Sequence, residues 1–137
     1  MRRVLVLLSA QLRRQTVTLM NLILIKTRRT GTAEPVMNES VYKVFRQAEW
    51  KTFQQEGHFR GSKDDLRDGF IHLSTQQQVN GVIERFFSGV RPLYVAEFTE
   101  PALLKKLKWE DSGSGELYPH LYGSDLQTAD MTGFVKL

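Results

Sequence analysis

The stretch Gly69-Phe70-Ile71-His72-Leu73-Ser74-Thr75 constrains this chain more than any other. It alternates as a buried strand does, with Ile71 and Leu73 on one side and Phe70, His72 and Ser74 on the other. Ser74 and Thr75 are then good helix caps, each with a glutamine three residues on, Gln77 and Gln78, in the pattern of a capping box. Val79, Val82, Ile83, Phe86 and Phe87 follow at the spacing of one apolar helix face, and Gly89 supplies a stop. The stretch therefore predicts a strand running directly into a helix. Such a corner leaves backbone N–H groups at a positive dipole end, suited to an anion or a polarised oxygen. His72, two residues before the cap, falls beside that spot, and the dipole favours its neutral ring. The bland alternative is a core histidine hydrogen-bonded to a backbone carbonyl.

A chain of 137 residues, 41% of them hydrophobic, suffices for one domain with one core. Cysteine is absent, which excludes disulfides, thiolate metal sites and cysteine nucleophiles and is compatible with a reducing, cytoplasmic setting. The net charge of +4 is unevenly placed. Residues 1–37 hold seven basic side chains against one acid, whereas the remainder hold 12 basic and 14 acidic groups, giving +6 and −2. The body carries no basic stripe with interleaved aromatics, so charge gives no reason to expect nucleic-acid binding.

Residues 1–37 read as a basic leader outside the fold. Its apolar runs, Val4 to Ala10 and Val17 to Ile25, fall short of the roughly 20 residues of a membrane-spanning helix. A signal peptide and an organelle transit peptide both fit the composition. The abrupt change at Met37 favours a third reading, upstream sequence translated by a start-site error, and in each case a poorly ordered segment is expected.

Residues 38–137 read as a single α+β domain with few helices. Val41 to Phe45 is a strand, Arg46 to Glu56 a helix stopped by Gly57, and Trp50 a core anchor. Residues 57–68 are polar and read as a loop carrying His58 and Arg60, either able to reach a ligand. Strands are expected at Leu93 to Phe98, Leu107 to Glu110 and Met131 to Leu137, with a short helical turn after Pro101. Glu116 and His120 flank a turn containing Pro119.

His72, Glu116 and His120, with Ser74 at a cap, form an acid/base or ligand-orienting set. Spacing leaves open whether they converge. No metal site is expected, because no H-E-x-x-H or i, i+4 histidine pair is present. Ser74 lacks a G-x-S-x-G elbow, and the chain has neither a P-loop nor a dinucleotide-binding glycine fingerprint.

So assembled, the chain resembles the bacterial domain of unknown function 952 family. The resemblance rests on Val41-Tyr42-Lys43-Val44, Trp50, Asp68 to Thr75, Trp109-Glu110 and Glu116-Leu117-Tyr118-Pro119-His120-Leu121-Tyr122-Gly123. That family is grouped with the ADP-ribosyltransferase-like superfamily, which implies a small, split, mostly antiparallel α+β sheet with two main helices, gripping NAD. It further implies a small-molecule nucleotide ligand, with His72 and the Tyr42-Lys43 strand toward the nicotinamide-ribose side. Lys43 stands where many members carry histidine and is expected to meet a phosphate or ribose oxygen. Arg60, Ser74, Thr75 and Tyr122 complete the expected ligand contacts, and Glu116 and His120 would stabilise charge or move a proton. The alternative is a binding module without transfer chemistry, or a structural protein in which Tyr118-Pro119-His120 is only a rigid turn.

Overall fold

The computed structural model describes residues 40–137, so the leader expectation lies outside the described residues. Within them the order is β1 (Val41–Arg46), α1 (Gln47–Glu56), β2 (His58–Phe59), α2 (Lys63–Asp68), β3 (Ile71–His72) and α3 (Val79–Phe86). There follow β4 (Leu93–Phe98), α4 (Pro101–Leu104), β5 (Leu107–Asp111), β6 (Leu117–Leu121), β7 (Leu126–Gln127), a 3-10 turn and β8 (Met131–Lys136). This is an α+β fold in which every strand pair is antiparallel and α1 and α3 are the longest helices. No helix of the described residues is long and apolar enough to cross a membrane.

Two three-stranded sheets, ordered β1-β4-β8 and β3-β6-β5, carry most of the strands, and β2 pairs with β7. The split between the larger sheets is bridged at one place. Tyr42 and Ser74 exchange backbone hydrogen bonds of 2.8 and 2.9 Å, so the chain just after β3 docks on the free edge of β1.

The β1 sequence explains why both faces of its sheet are covered. With period two, Val41 and Phe45 enter a core with Phe53, Ile71, Leu73 and Phe98, while Tyr42 and Val44 enter a second with Val79, Ile83 and Val95. Trp50 is the anchor its sequence context suggested, stacked on Tyr94 with ring centroids 4.9 Å apart and edge-on to Phe45. Such pairs add about 0.5–1.5 kcal/mol beyond area burial.

Three sequence expectations need correction. Residues 57–68 are not one loop: they contain β2 and α2, the latter started by Ser62 and ended by Gly69 at φ 87°. Leu66, the only aliphatic side chain in α2, is 64% exposed, so no apolar stripe announces this helix. The strand at Ile71–His72 does not run straight into a helix either. A turn intervenes and α3 begins at Val79 with Gln78, not Ser74 or Thr75, at its N-cap and no side-chain cap bond; the reciprocal Thr75–Gln78 pair closes the turn instead, Thr75 N donating to Gln78 Oε1 and Gln78 N to Thr75 Oγ1. Finally, Pro119 lies within β6, not in a turn, and β6 is the middle strand of its sheet. In a strand the N–H and C=O of one residue face the same neighbour. The Pro119 carbonyl accepts from Leu73 N at 3.0 Å, so the missing donor faces the segment just beyond the end of β3.

Candidate functional site

Asp65 is the hub from which the site is built. It is the third residue of α2, where its Oδ2 accepts from Ser62 N at 2.8 Å while Ser62 Oγ accepts from Asp65 N. The same Oδ2 lies 2.6 Å from Lys43 Nζ, and Oδ1 accepts from His72 N and meets His72 Nδ1 at 2.6 Å. One carboxylate, 1% exposed, thus ties together β1, α2 and β3. Burial pushes its pKa up, but hydrogen bonds from His72 and the charge and hydrogen bond of Lys43 reverse this, holding it far below the usual carboxylate range.

His72 is bracketed. Its Nε2 lies 3.2 Å from Asp68 Oδ2, so both ring nitrogens face carboxylates. The hydrogen bond from Arg67 is the main reason that the Asp68 carboxyl is also held low. The helix terminus expected two residues after His72 is displaced, because α3 starts seven residues further on.

His120 pairs directly with His72 across β6 and β3, and the two rings sit edge-on with centroids 5.4 Å apart. Its Nδ1 lies 2.7 Å from Glu110 Oε2, which also accepts from the Tyr122 hydroxyl at 2.7 Å. These two hydrogen bonds hold the Glu110 carboxyl below its ordinary pKa, and the bond to Glu110 raises that of the Tyr122 phenol. Phe70 stacks on His120 with centroids 4.1 Å apart and fixes the plane of the imidazole. With Nδ1 committed to Glu110, His120 Nε2 is the nitrogen left for a ligand.

Both histidines line one cleft of about 280 Å³ together with Lys43, Ser74, Arg85 and Tyr118. Of the residues expected from sequence, His72, His120, Lys43 and Ser74 are brought together there. Lys43 Nζ is committed to Asp65 and to the His72 carbonyl, at 2.6 and 3.1 Å. Tyr42 packs in the second core and donates to Glu97 at 3.1 Å. Arg60 lines a separate hollow beside Gly69 and Ser124. His58 lies in β2 with Nδ1 3.2 Å from Asp125. Glu116 lies just before β6, bonded to Gln78 and Tyr118, and is not hydrogen-bonded to His120. Nor is the strand-to-helix corner an open anion nest, because the N–H groups of Ser74, Thr75 and Gln78 bond to Tyr42, Gln78 and Thr75. Among the described residues no group of three or more His, Asp or Glu is placed to hold a metal ion.

The carboxylates at the two Nδ1 atoms are Asp65 and Glu110, and neither was among the sequence candidates. Asp65 had a legible signal, the Ser62-x-x-Asp65 cap pattern. Glu110 stood only among the residues of the family resemblance, with nothing to link it to His120, since that partnership depends on the register that sets Lys108 opposite His120 on the adjacent strand.

The family model described as a protein of unknown function, DUF952, matches residues 44–134. The chain belongs to this family. The DUF952 match contains Asp65, His72, Glu110 and His120 and leaves Lys43 one residue outside it. The crystal structure of protein CC0527 from Caulobacter crescentus is 37% identical, covering 72% of this chain and 85% of that one, with a TM-score of 0.67. The solution NMR structure of CC0527 gives 36% identity, coverage of 72% and 84%, and a TM-score of 0.62. No curated protein matches the chain significantly.

Proposed function

We propose that the cleft binds a small nucleotide-like ligand, that His72 and His120 orient it, and that His120, through Nε2, moves a proton at its reacting end. The observation that carries this reading is the pair of carboxylate-held imidazoles, 5.4 Å apart on one cleft wall. Carboxylates at both Nδ1 positions fix ring orientation, and at His120 this leaves Nε2 for the proton transfer. NAD or an ADP-ribose compound is the ligand class that the ADP-ribosyltransferase-like resemblance implies, and a transferase acting on NAD is the corresponding activity. The cleft volume, about 280 Å³, lies just below the usual range of about 300–1,000 Å³ for ligand sites. It suits one nucleoside-phosphate half of such a molecule, the remainder lying along the rim.

Calorimetry with NAD and ADP-ribose on wild type, His72→Ala and His120→Ala tests the binding, and chromatography of incubated NAD tests turnover. Saturable binding lost in both folded variants supports the reading. Binding without product leaves a binding module, and absence of binding to wild type removes the NAD assignment.

A further inference from the structure

The charges around the cleft are almost fully matched, and the exception identifies what the ligand should carry. Lys43, Arg46, Arg67 and Arg85 line it, as do Glu49, Asp64, Asp65 and Asp68. Lys43 pairs with Asp65, Arg46 reaches Glu49 at 3.9 Å, and Arg67 pairs with both Asp64 and Asp68. Among the described residues, Arg85 is the lining cation with no carboxylate within 4.0 Å.

Arg85 is nevertheless held in place. Its terminal nitrogen donates to the Tyr118 hydroxyl at 2.6 Å, and its Nε donates to the Gly81 carbonyl of the preceding helical turn at 3.3 Å. Tyr118 is itself buried and donates to Glu116, which accepts from Gln78, so the guanidinium rests on a chain of hydrogen bonds. The other N–H groups of its fork remain for a ligand. Phe86 is the neighbouring residue at the same rim, 64% exposed, with its ring 5.5 Å from the Arg85 guanidinium carbon.

We propose that Arg85 is the anion-recognition residue of the cleft, docking a phosphate group of the ligand, with Phe86 offering a face to an attached aromatic ring. This rests on the reading of the cleft as a nucleotide site and specifies which part of the nucleotide α3 receives. A charge-assisted, forked contact is lost with the guanidinium, and a lysine there restores the charge without the fork.

The test is calorimetry on the full chain with two probes, inorganic pyrophosphate and ADP-ribose, using wild type, Arg85→Gln, Arg85→Lys and His72→Ala. Because Arg85 is exposed, the unfolding midpoint of its variants should match wild type, which separates binding from folding. The expected result is a loss of roughly 10–100-fold in Arg85→Gln for both probes, an intermediate loss in Arg85→Lys, and a weaker salt dependence in Arg85→Gln than in wild type. Pyrophosphate binding that depends on Arg85, with no ADP-ribose binding, supports the anion subsite while removing the NAD assignment. ADP-ribose binding lost in His72→Ala but unchanged in Arg85→Gln overturns the role of Arg85 and leaves the cleft reading standing. Failure of both probes to bind wild type overturns it as well.

Discussion

Asp65 and Glu110 each hold the Nδ1 of one cleft histidine, and they do so in opposite settings. Asp65 is 1% exposed and bonds Lys43, Ser62 and His72, whereas Glu110 is 40% exposed and bonds only side chains of its neighbouring strand. The first ties β1 to the neighbouring α2 and β3, so it belongs to the fold as much as to the site. The second aims one ring and little else. Identical chemistry at a histidine nitrogen thus has different consequences, according to what else the carboxylate holds.

The largest expected effect comes from Asp65→Ala. It leaves the Lys43 ammonium buried without a counter-charge, and a stability loss of about 3–5 kcal/mol is expected in denaturant titration. A loss under about 1 kcal/mol would erase the contrast with Glu110. Lys43→Met should cost less, about 1–3 kcal/mol, because Asp65 keeps its bonds to Ser62 and His72.

Acid is the next lever. Asp65 has a depressed pKa in the fold, so protons bind the unfolded chain more readily. Its contribution is complete above about pH 4, the ordinary carboxylate value, and is lost as pH falls toward the folded value. Unfolding midpoints measured from pH 6 downward should therefore fall more steeply in wild type than in Asp65→Asn. Equal slopes would mean that the ion pair adds nothing to the pH dependence.

The smallest effect on stability is expected from Glu110→Gln, with an unfolding midpoint close to wild type. Its signature should be local. Ring nitrogen NMR should show the His120 proton held on Nδ1 in wild type and redistributed between the two nitrogens in the variant, because the acceptor charge is gone. Unchanged ring shifts would remove the positioning role of Glu110.

The same contrast explains what was legible in the sequence. β1, α1, β4, β5 and β8 follow from apolar periodicity and turn residues, and His72 and His120 stand out in segments of suggestive chemistry. α2 was missed because a cap and a buried carboxylate hold it, without an apolar face. β2 and β7 are two residues each, too short for any pattern. Pro119 misled because proline usually argues against a middle strand, and only the three-dimensional pairing shows that its missing donor faces the end of β3. Glu116 stands out beside His120 in one segment, whereas strand register brings Glu110 to the ring.

The most direct measurement pairs denaturant unfolding with ADP-ribose calorimetry on Asp65→Asn and Glu110→Gln. Asp65→Asn is expected to lose stability, by less than Asp65→Ala, while Glu110→Gln keeps its stability and loses affinity. Wild-type affinity in Glu110→Gln, or equal loss of stability in both variants, would contradict the division between a carboxylate that holds the fold and one that aims the site.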